Sequence, residues 1–206
     1  GRGIGIIDTA QIGFLVDSVS LLGESTAWTD SDQRLLTDWM SQFLEWLTGS
    51  AYGLEEKGQP NNHGTWYDVQ VLSLALSTGR RDVAQDVADR ATRRLESQIE
   101  PDGTQPLELA RTRSLGYSVM NLTGLFDLAD LCTHCDVDLW RHEGDGARSL
   151  RVALQWLVEN AIDSAWIRPQ IEPFDTAWWL PLLRRASQRF QDPAFAGRIS
   201  RLPGLE

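Results

Sequence analysis

Cysteine, lysine and long apolar runs are almost absent from this 206-residue chain. Its 2 Cys are too few for the disulfide framework that staples small secreted folds. No window approaches the roughly 18 to 20 consecutive apolar residues that a membrane span requires. The apolar–polar alternation of half-buried strands is missing as well. Positive charge is scarce: 19 Lys+Arg stand against 29 Asp+Glu, giving a formal charge of −10 and a pI near 4.7. That balance argues against nucleic acid, whose phosphates demand a basic patch, so a polyanionic partner would have to be met by a local cluster of cations. Lys57 is the sole lysine. The near-total use of arginine fits codon usage in a GC-rich genome, but arginine also presents a planar fork that matches a carboxylate bidentately.

What is present is helical. At 42% hydrophobic and 23% charged the composition is that of a globular chain able to bury one substantial core. The opening Gly1-Arg2-Gly3-Ile4-Gly5-Ile6-Ile7-Asp8-Thr9 carries no initiator Met or leader. Its glycine spacing does not fit a dinucleotide fingerprint, and it reads as a loop in the middle of a longer chain. After Asp8 or Thr9 as N-cap, Ile12, Leu15, Val16, Val19 and Leu22 recur at helical spacing up to Gly23. Asp30 to Leu47 repeats the pattern and ends at Gly49. Tyr52 to Gly64 reads as a long polar loop, long enough to suspect function.

Thr65 to Leu76 is apolar nearly all round, which predicts a buried inner helix. Val83, Val87, Ala91, Leu95 and Ile99 recur every four residues among Arg and Asp, which predicts an outer partner joined through Ser77-Thr78-Gly79 as an αα-hairpin. Further helices are expected at Ser114 to Leu131, after the Pro101-Asp102-Gly103 turn, at Leu150 to Ala161, and at Thr176 to Phe190 beyond Pro169 and Pro173. About seven helices in hairpins without strands predict an all-α array, either a packed bundle or a curved toroid.

Two polar clusters carry the candidate chemistry. In Asn61-Asn62-His63-Gly64-Thr65-Trp66-Tyr67-Asp68, two amides, an imidazole and a phenol stand where a loop enters a buried helix, able to orient a polar ligand and move protons; the alternative is a capped helix with His63 and Tyr67 as ordinary neighbours. In Glu108-Leu109-Ala110-Arg111-Thr112-Arg113-Ser114-Leu115-Gly116-Tyr117-Ser118, a continuous helix would put Arg113 and Tyr117 on one face. A cation beside a phenol favours phenolate, which makes Tyr117 a proton-transfer candidate. The alternative is an arginine pair bridging to Glu108 on the surface. Cys132-Thr133-His134-Cys135 has metal or redox spacing but lacks a second ligand pair, and His142 is the one nearby addition, so an incidental pair of thiols is expected. Asp127 with Asp130, and Asp136 with Asp138, read as helix-end and loop charges.

At these two clusters the runs NNHGTWYDVQ (61–70) and QPLELARTRSLGYSVMNL (105–122) resemble the alginate-lyase-type polysaccharide lyases. The likeness is strongest to the glucuronan and mannuronan lyase branch, polysaccharide lyase family thirty-eight, with family five more distant. GRGIGIIDT at the start, GDGARSLRVAL (144–154) and WIRPQIE (166–172) fit the same family. The resemblance implies an incomplete α/α toroid of antiparallel helical hairpins, with residues 1–206 as the C-terminal part of one such domain and further helices N-terminal to it. It also implies β-elimination on a 1,4-linked uronate polymer, leaving a C4–C5 double bond. By the same resemblance Asn62 and Arg111, with Arg113 as substitute or second partner, neutralise the uronate carboxylate. Tyr117 is the acid, or both acid and base, and His63 is the base for the opposite geometry or a carboxylate ligand. Asn61, Trp66, Tyr67 and Gln170 are candidate cleft contacts. No metal or cofactor is required by this mechanism. The expected partner is an anionic uronate polysaccharide or oligosaccharide, without nucleic acid or membrane, and the expected compartment is periplasmic or extracellular. Two other readings remain: an inverting glycoside hydrolase using Asp68 and Glu108, and a fragment that binds uronates without turning them over.

Overall fold

The computed structural model describes residues 1–23 and 25–202, and among them the chain is helical without a strand. The α-helices are α1 (Ile12–Ser20), α2 (Asp30–Gly49), α3 (Ala51–Lys57), α4 (Asn62–Ser77), α5 (Arg81–Gln98), α6 (Pro106–Leu109), α7 (Ser114–Cys132), α8 (Leu150–Ala161), α9 (Trp179–Arg189) and α10 (Pro193–Gly197). Each long helix starts or faces as its sequence dictates. A capping box closes α2, in which the Thr29 hydroxyl accepts from Asp32 N at 3.2 Å and the Asp32 carboxylate accepts from Thr29 N at 3.0 Å. Ser149 caps α8 in the same way by accepting from Val152 N.

The inner helices are α4 and α7. Every residue of α4 from Gly64 to Ala75 is buried, as its all-round apolar character requires, while α5 buries the stripe of Ala84, Val87, Ala88, Ala91 and Leu95 together with Gln98 at its end. α4 and α7 run side by side in the same direction. The first turn of α4 is bound through Asn62 to Glu108 of α6, the short helix just before α7, and the last turns of α4 and α7, at Ser77 and Leu131, line one cavity at the opposite end. Close approach between them is set by Gly124, where a Cβ would meet the Thr65 methyl at 3.0 Å and the Trp66 indole at 3.1 Å. Outside this pair, α9 is pinned to α7 by Arg185 on Asp127 and Asp130 (2.6 and 2.8 Å), and Arg189 also binds Asp130. The acidic pair 127 and 130 is therefore structural glue between helices rather than a helix-end decoration.

Several expectations are corrected. The opening is a 3-10 helix, Gly3–Thr9, rather than a loop. Neither Asp8 nor Thr9 caps α1, and the Thr9 hydroxyl bonds to Ile6 O and Gln70 Oε1 instead. The segment 52–64 is largely helical: Ser50 caps α3 by accepting from Gly53 N, and Glu55 in that helix accepts from Gly3 N at 2.8 Å, so it gains a tertiary partner that a short window of sequence cannot reveal. α6 and α10 are short helices that periodicity cannot register. Cys132 and Cys135 are free thiols, Cys132 within the core, where burial pushes its pKa up to about 12.

Candidate active site

The functional cluster gathers the first turn of α4, α6 with the link that follows it, and the first turn of α7. Asn61 is the α4 N-cap, its side chain accepting from His63 N at 3.3 Å and its carbonyl receiving Gln98 Nε2 at 3.0 Å. Asn62 is fully buried. Glu108, itself buried, accepts from Asn62 N and from Asn62 Nδ2, both at 2.7 Å. Burial pushes the Glu108 carboxyl up from its ordinary pKa, and the two Asn62 hydrogen bonds, with Arg111 and His63 nearby, offset part of that. One hydrogen of the Asn62 amide remains to be given, and its Oδ1 is buried without a partner.

His63 projects from α4 half-buried, with Nδ1 2.8 Å from Glu56 Oε1. Glu56 is completely enclosed, and its second oxygen has no partner. A carboxylate on Nδ1 fixes the ring and favours the tautomer that leaves Nε2 as the free nitrogen. Burial raises the Glu56 pKa, opposed by the hydrogen bond to His63. Because its proton is held more tightly in the folded state, this contribution to stability is complete at low pH and is lost as pH rises through the elevated folded value. Glu56→Gln is therefore expected to gain in stability relative to the wild type as pH is raised from about 4.5 to 7, measured by urea unfolding at each pH.

The third strand of the cluster is Tyr117, on the first turn of α7. The Arg111 guanidinium lies 3.8 Å from the centre of its ring, and Arg113 Nη2 donates to its hydroxyl at 3.4 Å. The two arginines differ in partners. Arg113 is tied to Glu172 at 2.8 Å, whereas Arg111, stacked on the phenol, makes no ion pair among the described residues. The stretch 169–172 crosses the start of α7 as a strap: Pro169 O takes Ser114 N, Ile171 N donates to Thr112 O, and Gln170 Oε1 accepts from Leu115 N and Gly116 N. These bonds satisfy amides at the α7 N-terminus that have no intrahelical partner.

Of the residues singled out in the sequence, Asn62, His63, Arg111, Arg113 and Tyr117 come together here. Trp66 and Tyr67 are core residues and do not join this cluster. Trp66 is 6% exposed and packs on Gly124, while Tyr67 is 1% exposed and donates to Leu47 O at 3.0 Å, its pKa pushed up to about 12 by burial. Asn61 is spent on the α4 cap, whereas Gln170 both accepts from the first amides of α7 and lines the pocket beside Tyr117 and Arg113. Asp68 is an interior anion held by Arg90 at 2.8 Å and by Arg94 at 2.8 Å. With Glu108 enclosed as well, the two carboxylates proposed for a hydrolase do not face each other across a water-filled gap, as inversion needs. Glu108 also fails to form the surface bridge to arginine; it faces inward to Asn62.

Glu56 is the residue that sequence reasoning missed. Its only signal is the spacing of seven residues to His63, which is visible only once 51–57 is known to be helical. Arg94 is a second: it donates to Lys57 O and Gln59 O at 3.0 and 2.8 Å, fixing the chain just before Asn61. Gly64 leaves room for that clamp, since a Cβ there would collide with the Gln59 carbonyl and the Arg94 guanidinium. Gly64→Ala is expected to cost about 1–3 kcal/mol, the usual cost of overpacking, and to lower turnover by displacing Asn62 and His63; thermal unfolding and an activity assay of the same sample check both.

Helical hairpins wrapped on two co-directional inner helices, with a polar cluster at their common N-terminal end, make this an α/α toroid-type protein. The chain belongs to the alginate lyase family, whose sequence model matches residues 1–167. A crystal structure of an alginate lyase from Bacteroides ovatus superposes on it with a TM-score of 0.93 at 33% identity, covering 100% of this chain and 56% of that one. The chain thus spans little more than half the length of that relative. No curated protein matches it.

Proposed function

We propose that the protein is a polysaccharide lyase that cleaves a 1,4-linked uronate polymer, mannuronan/alginate or glucuronan, by β-elimination, and that residues 1–206 form the C-terminal part of its toroid domain. The observation that carries this reading is the Tyr117 phenol with the Arg111 guanidinium 3.8 Å from its ring centre and Arg113 on its hydroxyl, Arg111 making no ion pair among the described residues, beside an amide and an imidazole each held by a buried glutamate. Family membership and the likeness to an alginate lyase support it.

The chemistry follows from the difficulty of the step. Removing the C5 proton next to an ionised carboxylate piles negative charge onto that group, so preorganised donors must meet it. Arg111 supplies the fork and Asn62 the remaining amide hydrogen, held in place by Glu108. The C5–H electron pair becomes the C4–C5 double bond, the C4–O4 bond breaks, and O4 receives a proton. Tyr117, as phenolate, takes the C5 proton and returns it to O4 where both lie on one face of the ring. Where they lie on opposite faces, His63 Nε2 is the base and Tyr117 the acid. The acidic net charge does not oppose this, since carboxylates are met one at a time at a local cationic site.

The test is a panel of uronate polymers incubated with the protein and followed by ultraviolet absorbance of the unsaturated end. Growth of absorbance with at least one polymer is expected. New reducing ends without absorbance would point to hydrolysis, and binding without either product to a chain that holds uronates without cleaving them.

A further inference from the structure

Behind the reaction centre, three side-chain atoms are buried without a hydrogen-bond partner among the described residues: Asn62 Oδ1, Ser118 Oγ and Asn121 Oδ1. Each is enclosed by protein, and a polar atom withdrawn from water in this way is costly unless something meets it. We propose that a single water molecule is bound between them, donating to both amide oxygens and accepting from the hydroxyl, and that through it Ser118 is a positioning residue for Asn62. The water site stands on the packing alone; its effect on turnover rests on the lyase reading above.

The short helix α6 draws the three residues together. Glu108 accepts from Asn62 N and Nδ2, both at 2.7 Å. Gln105, the N-cap of the same helix, donates to Ser118 O at 3.1 Å and accepts from Asn121 Nδ2 at 2.8 Å. Gln105 and Glu108 are three residues apart, as are Ser118 and Asn121 on α7, so each pair shares a face of its helix. Gln98 closes the far side by accepting from the Thr65 hydroxyl, one turn along α4 from Asn62, and from Asn121 Nδ2, each at 2.9 Å.

Donors and acceptors then match one water. The Asn62 amide must turn its nitrogen to the Glu108 carboxylate, and the Asn121 amide must turn its nitrogen to two glutamine oxygens, so both Oδ1 atoms are fixed as acceptors in want of a proton. A helical hydroxyl often returns its proton to the carbonyl four residues back, as Thr123 does to Val119 O at 2.9 Å. Ser118 makes no such bond, so its proton is free to be given. Two acceptors take the two hydrogens of a water and one donor meets its lone pair, about the three bonds that a buried water makes. Glu108 restrains the nitrogen end of the Asn62 amide and the water restrains the oxygen end. The remaining amide hydrogen is thereby aimed at the substrate carboxylate before the charge develops.

A crystal structure sharp enough to show ordered water tests the site directly. A water within about 2.7–3.2 Å of all three atoms is expected; a direct bond from Ser118 to either amide, or a dry gap, overturns it. Kinetics test the role. Ser118→Ala removes a single oxygen and should lower kcat by about tenfold, the worth of one neutral hydrogen bond, with KM changed by less than about twofold. The discriminating measurement is the double variant. Added to Asn62→Ala, Ser118→Ala should change kcat by less than about twofold, because Ser118 then has no amide to orient, whereas a merely structural role multiplies the two losses. Multiplied losses, or no loss in Ser118→Ala alone, overturn the positioning role. An ordered water at the three atoms with no unsaturated product from any polymer keeps the site and removes the lyase assignment. Turnover by the wild type across a dry gap does the reverse.

Discussion

Tyr117→Phe is expected to lower kcat for unsaturated product formation by about 10²- to 10⁴-fold, the usual worth of a positioned general acid or base. The substitution removes one oxygen and little else. Phe keeps the aromatic face on which Arg111 stacks at 3.8 Å, and Arg113 keeps its bond to Glu172. The first turn of α7 is held by its bonds to Pro169 and Gln170 rather than by the phenol, so the fold and the cation arrangement survive. KM should move little, because the hydroxyl acts on protons in the transition state more than on the bound ground state. Absorbance assays on the best polymer of the panel measure this directly. Retention of kcat within about tenfold would remove Tyr117 from proton transfer and leave His63 as the sole candidate base.

The second large effect separates the two arginines. Arg111→Ala is expected to reduce kcat/KM by about 10²- to 10³-fold, the scale found when one preorganised donor to a developing anion is lost. Arg113→Ala should cost about tenfold or less, because its charge is already matched by Glu172, and a paired, half-exposed guanidinium contributes little further attraction. Arg111→Lys should recover only a small part of the loss, as an ammonium cannot give two parallel hydrogen bonds to one carboxylate or stack on the phenol. Steady-state kinetics of the three variants on one substrate decide the matter. A larger effect at Arg113 than at Arg111 would reverse the assignment and make Glu172 a competitor that substrate must displace.

Both results bear on how charge is arranged in an acidic chain. Beneath the cluster sit Glu56 and Glu108, each enclosed and each gripping one of two adjacent residues, His63 and Asn62. Buried carboxylates are costly unless they are hydrogen-bonded. Here that cost holds two side chains in fixed orientation, the condition under which a site acts without reorganising. A polar chain of Thr65, Gln98, Asn121 and Gln105 continues the restraint from α4 through α5 to α7, with Asn121 Nδ2 donating to both glutamine oxygens at 2.9 and 2.8 Å.

Hydrophobic period by itself determined that the chain is helical, that 65–76 lies inside and 83–99 half outside, and that the turns at 77–79 and 101–103 reverse the chain, because burial on one stripe or all round is written in local spacing. The two polar clusters were also legible, being contiguous in sequence. What they do with each other was not. Whether Arg111 or Arg113 is free depends on Glu172, roughly sixty residues downstream, arriving by way of the strap. Whether Trp66 and Tyr67 line a cleft or the core depends on which face of α4 meets Gly124 and Leu47. Glu56 joins His63 only because a stretch rich in Gly and polar residues is stabilised as α3 by contacts with the first residues of the chain. Each of these is a pairing of residues distant in sequence, fixed by packing and long-range hydrogen bonds, and so only the tertiary structure decided it.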